Sequence, residues 1–195
     1  MGLRKTVTEL QQTPYATRKT VAVDEQDNEL GETPLIAAHR DGGIKHRAFS
    51  VILYRERTGN KELLLQLRAQ EKPVFCLLWA NTCCYNMACG EEYLARAATR
   101  TNEEMGTTVR SQELRILYRF SYEAQDVEGW CENELDTVIV GKYDDAVSPD
   151  PSEVADYRWV EWNALKIDIG KNPDTYAPWF KMIVADQRTE AVFGE

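Results

Sequence analysis

Two runs of bulky apolar residues, Ala48-Phe-Ser-Val-Ile-Leu-Tyr54 and Glu62-Leu-Leu-Leu-Gln-Leu-Arg68, flank the turn residues Thr58-Gly59-Asn60. Paired runs of this length around a glycine-containing turn predict a β-hairpin. A hairpin this apolar needs cover, so it commits the chain to a sheet with partners on its faces. Leu94, Ala97, Ala98, Thr101 and Met105 recur at helical spacing over 91–105, and Gly106 supplies a stop. Further strands are predicted at 114–122, 132–142 and 154–160, with a short extended piece at 77–81. A short helix is expected from Trp162 and a longer one over 176–192. The sum is an α/β (α+β) fold, a mixed sheet with helices on its faces. Residues 1–30 are polar and without period, and read as an arm or loosely attached segment. Residues 31–195 read as the domain.

At 195 residues the chain is long enough to bury one sizeable core. Its net charge of −9 argues against nucleic acid, because phosphate backbones need a basic surface. A small anionic substrate stays compatible, since a basic pocket can sit within an acidic protein. The five cysteines are odd in number and lack metal-knuckle spacing. With no membrane-length apolar run and no signal-peptide core, a cytoplasmic, reducing compartment is expected.

The chemistry concentrates in Asn81-Thr-Cys-Cys84-Tyr85-Asn86 and Glu132-Asn-Glu134. On a strand, residues i and i+2 share a face, so Glu132 and Glu134 point the same way. A thiol facing a carboxylate pair is an acid–base apparatus, and the pair also suits a divalent metal. The flanking Cys131 and Leu135 to Val140 indicate a mostly buried strand, and buried carboxylates need a partner.

With these pieces in order, the chain resembles type I isopentenyl-diphosphate isomerase, a member of the Nudix superfamily. The resemblance runs from about His39 to Trp179. It is carried by Ala37-Ala-His39 with His46-Arg-Ala-Phe-Ser50, Arg68 with Lys72, and Trp79 to Cys84. Arg100 to Gly106, Tyr122, Glu132-Asn-Glu134, Glu153 to Trp159, and Tyr176-Ala-Pro-Trp179 complete it. It implies a Nudix-like mixed sheet sandwiched by helices. It also implies metal-dependent interconversion of isopentenyl and dimethylallyl diphosphate through a tertiary carbocation. An acid, a base and a dry pocket are then required.

By that resemblance Cys84 and Glu132 are the facing proton-transfer groups, Tyr122 hydrogen-bonds Glu132, and Trp179 stabilises the cation through its ring. His39, His46, Glu134 and Glu132 hold a metal ion, and Glu104 helps bind magnesium on the diphosphate. Arg68, Lys72 and Arg100 bind the diphosphate itself. The substrate is a small prenyl diphosphate.

Three departures stand out. Asn86 replaces a histidine ligand two residues after the cysteine, leaving a weaker amide donor for the second metal, whether magnesium, manganese or zinc. Tyr85 replaces a small residue, so its phenol joins the substrate-binding set. Leu35 stands where a phosphate-binding lysine is expected. Because these changes cluster, two alternatives accompany the isomerase reading. One is a diverged enzyme that cyclises or rearranges another or longer prenyl diphosphate, and the other is a non-catalytic paralogue binding an isoprenoid or partner. Hydrolysis is disfavoured, since Arg100 lies where a hydrolase needs a metal-binding carboxylate.

Overall fold

The computed structural model describes residues 14–194. The predicted hairpin is its centre: β3 (His46–Arg57) and β4 (Asn60–Arg68) are antiparallel. Their link is two residues, Thr58 and Gly59, both with positive φ, the mirror-image turn that matches strand twist. β3 also pairs in parallel with β8 (Cys131–Lys142) and antiparallel with β6 (Cys83–Asn86). β7 (Leu114–Gln125) pairs with β8, while β9 (Val154–Glu161) and the two-residue β5 (Trp79–Ala80) pair with β4. The result is a mixed sheet of nine strands.

The segment read as an arm is described from residue 14. Lys19–Val23 forms β1, with all but its first residue buried, and pairs with β2 (Glu29–Pro34) and β3. The described part of that segment is therefore integral to the sheet. Its apolar content, Val21-Ala22-Val23, is too short to show a period. Residues 1–13 of the expected arm lie outside the described residues.

Five α-helices cover the sheet: α1 (Leu35–Ala38), α2 (Tyr93–Met105), α3 (Trp162–Lys171), α4 (Pro178–Ala185) and α5 (Gln187–Phe193). One apolar cluster packs α3, α4 and α5 on one side of the sheet, through Trp162, Phe180, Ile183 and Phe193. The other packs α2 through Ala97, Ala98 and Met105 against Phe49, Leu53 and Ile139. The helix expected over 176–192 is in fact two. Asp186 is extended and its carboxylate accepts from the Arg188 backbone N–H. It thereby caps α5 and breaks the run. The extended piece expected at 77–81 shrinks to Trp79–Ala80.

Gly106 ends α2 in the left-handed region at φ 61°. Its neighbours Glu104 and Met105 give their carbonyls to the backbone N–H groups of Asp150 and Ser148, which docks the 148–153 loop on the helix end. A Cβ at Gly106 would overlap the Ser148 carbonyl. Gly106→Ala is therefore expected to destabilise the fold by about 2–3 kcal/mol, combining left-handed strain with the clash. In a thermal melt that is a fall of roughly 4–12 °C, whereas an unchanged Tm would show that the loop yields freely.

Candidate active site

Alternation along β8 carries Glu132, Glu134 and Asp136 to one buried face. The parallel register with β3 sets His46 beside Glu134, and the antiparallel register with β7 sets Tyr122 beside the same residue. β6 adds Cys84 opposite Ser50 and Asn86 opposite Ala48. His39 caps the end of α1. Arg68 ends β4, Lys72 follows it, and Arg100 and Glu104 share a face of α2. Pro178 opens α4 and fixes Trp179 in its first turn. One cavity is lined by Cys84, Tyr122, Glu132, Glu134 and Trp179 together with Arg68, Lys72, Arg100 and Glu104.

The four acid and imidazole groups form a compact cluster. One ligand atom from each of His39, His46, Glu132 and Glu134 lies within 4.8 Å of the others. Both imidazoles donate through Nδ1 to a backbone carbonyl, His39 to Leu35 and His46 to Ile44, each at 2.7 Å. That fixes each ring with Nε2 turned toward the carboxylates. His39 Nε2 is 2.9 Å from Glu132 Oε2, yet this oxygen has no aligned hydrogen-bond donor among the described residues. The contact is a close approach without hydrogen-bond alignment, and an ion pair when His39 is protonated. A buried carboxylate oxygen left in this way, facing two imidazole nitrogens, fits a divalent cation.

Charge is distributed unevenly over the cluster. Burial alone would raise the Glu132 carboxyl, but His39 beside it holds it at about 2. Burial likewise would lower His39, and Glu132 lifts it above the ordinary histidine value. Burial and the neighbouring Glu132 charge raise Glu134. Asp136 is pushed well above the carboxylate range by burial and by Glu134. It accepts from the Ser50 hydroxyl at 2.8 Å.

The tyrosine–carboxylate pair differs from the expectation. The Tyr122 hydroxyl donates to Glu134 Oε2 at 2.7 Å, not to Glu132. The register places Tyr122 opposite Glu134 and Ala124 opposite Glu132. Asn86 lies against the metal-type cluster, but through its amide nitrogen. Nδ2 donates to His46 Nε2 at 2.7 Å and to Glu134 Oε1 at 3.0 Å.

Cys84 lies in a polar clamp. Asn81 Nδ2 donates to its sulfur at 3.2 Å, and the thiol reaches Asn81 Oδ1 at 3.3 Å. Trp179 Nε1 donates to that same Oδ1 at 3.0 Å. Burial pushes the Cys84 thiol up to about 12, so at neutral pH the sulfur keeps its proton.

Glu104 lines the cavity from α2, bonded by Arg100 at 2.6 Å and Lys72 at 3.1 Å. Glu153 from the docked loop also pairs with Lys72 and Arg100. Arg68 instead donates to the Phe75 and Val74 carbonyls, with its guanidinium 5.2 Å from the Trp179 ring centre. Tyr85 alternates with Cys84 along β6 and still borders the same cavity. Its hydroxyl meets Glu91, and its ring lies between Arg96 and Arg18.

Sequence reading missed Tyr15, Arg18 and Asp136. Asp136 was available, being the next residue in the alternation that begins Glu132, Glu134. Tyr15 and Arg18, in and after the 3-10 turn Pro14–Thr17, line the cavity but carry no local signature.

A NUDIX domain model matches residues 44–181. An isopentenyl-diphosphate Delta-isomerase from Nocardia farcinica is 42% identical over 163 residues, 83% of this chain and 90% of its own length. The chain belongs to the isopentenyl-diphosphate Delta-isomerase family. A second family member, from Halorhodospira halophila, is 36% identical over 86% of this chain and 93% of its own length. Among solved structures, DR0079 from Deinococcus radiodurans superposes with a TM-score of 0.62 at 16% identity, covering 80% of this chain and 90% of that one. A MutT protein from Methanosarcina mazei gives 0.58 at 17%, covering 77% and 96%. At these identities the two structures share the fold alone. The chain's mixed sheet and its NUDIX match both agree with the reading from sequence. No helix among the described residues is long and apolar enough to cross a membrane.

Proposed function

We propose that the protein interconverts isopentenyl and dimethylallyl diphosphate, with Cys84 and Glu134 as the proton-transfer pair. The observation that carries this reading is one cavity that holds a half-buried protonated thiol, a tyrosine-bonded carboxyl and several cations. An alkene must gain a proton at one carbon and lose one from the neighbour, so a donor and an acceptor are both required. In either direction one of Cys84 and Glu134 gives and the other takes. Reversal of the reaction exchanges their roles.

Glu134 is favoured over Glu132 for this task. Its carboxyl is raised and bonded by the neutral Tyr122 hydroxyl, so it can hold a proton. Glu132 stays ionised against His39, which suits a metal ligand. The Trp179 ring and Tyr122 wall the cavity with aromatic surface, which excludes water and is compatible with a cationic carbon. His39, His46, Glu132 and Glu134 are the residues to hold a divalent cation, and Glu104 to meet magnesium on the diphosphate. Such ions would supply positive charge that offsets the clustered carboxylates and the diphosphate.

The test is incubation with magnesium and isopentenyl diphosphate in deuterated water, followed by NMR. Label in both isomers and appearance of dimethylallyl diphosphate are expected. Absence of turnover here, with turnover of geranyl or farnesyl diphosphate, would replace the reading by one on longer chains.

Asn86 offers a separate check. Its amide nitrogen donates where a cation would otherwise stand between His46 and Glu134. Asn86→His trades a donor for an imidazole ligand, and zinc affinity, measured by competition with a chromophoric chelator, is expected to rise at least about tenfold. Equal affinity would place residue 86 outside the coordination sphere.

A further inference from the structure

We infer that Arg18 is an anion-binding residue of the cavity, gripping the diphosphate of the substrate from the N-terminal side. The inference rests on the prenyl-diphosphate reading above and adds a contact that the family resemblance does not supply.

The cations around the cavity are not equivalent. Lys72 and Arg100 are already matched by Glu104 and Glu153, and Arg100 also by Glu103. Their net contribution to an incoming anion is correspondingly reduced. Arg68 and Arg18 line the same cavity, and among the described residues neither has a carboxylate within ion-pair distance. A diphosphate therefore meets its uncompensated positive charge at these two positions.

Arg18 is held for such a role. Its carbonyl accepts from the Leu35 N–H at 2.9 Å, continuing the β1–β2 register in which Lys19 faces Pro34. This sets Arg18 directly beside residue 35, where the resemblance leads one to expect a lysine and the chain has leucine. The charge missing at residue 35 is thus present on the residue hydrogen-bonded to it. The guanidinium lies 5.1 Å from the Tyr85 ring centre and 5.8 Å from that of Tyr15. Stacking on aromatic faces orients a guanidinium while leaving its N–H edge for phosphate oxygens. Tyr85 gains a purpose from this arrangement. It is the platform for Arg18, and the two departures at residues 35 and 85 form one compensating unit.

The experiment measures magnesium pyrophosphate binding by calorimetry, alongside steady-state kinetics with isopentenyl diphosphate. It uses the full-length chain and the variants Arg18→Gln and Arg18→Lys. Loss of a charge-assisted phosphate contact is expected to weaken pyrophosphate about 10–100-fold in Arg18→Gln. KM should rise in step while kcat stays within about threefold, as for a contact equal in ground and transition states. Arg18→Lys should recover part of the affinity, since it keeps the charge but not the fork. Pyrophosphate binding by Arg18→Gln equal to that of the parent overturns the inference, as does a parent protein that binds no pyrophosphate. Equal losses in both variants, with a lowered Tm, also overturn it, since Arg18 would then act by packing. If the parent binds pyrophosphate but does not turn over isopentenyl diphosphate, and Arg18→Gln still loses binding, the anion site stands and the isomerase reading falls.

Discussion

Cys84→Ala should lower kcat for isopentenyl diphosphate by about 10²–10⁴-fold, the range for loss of a positioned proton-transfer group. Pyrophosphate affinity should stay close to that of the parent, because Cys84 is held by Asn81 and Ser50 and bonds none of the cavity's cations. A kcat within threefold of the parent would remove the thiol from the mechanism. The same sulfur gives a pH test. Its folded-state value of about 12 lies above that of an unfolded-chain thiol, about 8.5. Alkylation of Cys84 should therefore climb about tenfold per pH unit to beyond pH 10 without a plateau. Stability follows the same sign. Between about pH 8.5 and 12 the unfolded chain loses a proton that the folded chain retains, so this contribution is complete below that window and falls as pH rises through it. A plateau in alkylation near pH 8.5 would mean that water reaches the sulfur freely.

Glu134→Gln should also cost about 10²–10⁴-fold in kcat. The amide keeps the shape and can still accept from Tyr122, so the loss would report proton transfer and not packing. Tyr122→Phe removes one hydrogen bond to a charged group and should cost about 10–100-fold. Glu132→Gln should first lower metal content, by removing one carboxylate from the cluster with His39, His46 and Glu134, and its turnover should recover with excess metal. Metal analysis of each purified variant separates these outcomes. If Glu132→Gln loses turnover at full metal loading while Glu134→Gln retains it, the two roles are exchanged.

Much of this site was legible because a strand has a period of two: Glu132 and Glu134 on one face needed no coordinates. The hairpin was legible for the same reason, with turn chemistry added. What the residues could not show was register. Tyr122 meets Glu134 because of how β7 and β8 align, across a bulge between Ile116 and Tyr118, and no local pattern encodes that alignment. Arg18 and Tyr15 were invisible for a related reason. They reach the cavity only because a short strand folds onto the sheet, and three apolar residues are too few to announce it. The end of α4 was readable in principle, since Asp186 is a good capping residue, but apolar residues on both sides masked the break.

The pairing of Lys72 and Arg100 with Glu104 bears on how alanine scanning of this protein would read. Glu104 is 1% exposed. Truncating either cation leaves this buried anion with a single remaining cationic partner, a loss that approaches the ~3–5 kcal/mol of a fully broken buried pair. Variants at residues 72 and 100 would then fail first as poor soluble yield. Their apparent inactivity would measure misfolding, and double replacements that remove Glu104 together with a cation would be needed to recover what each contributes to substrate affinity.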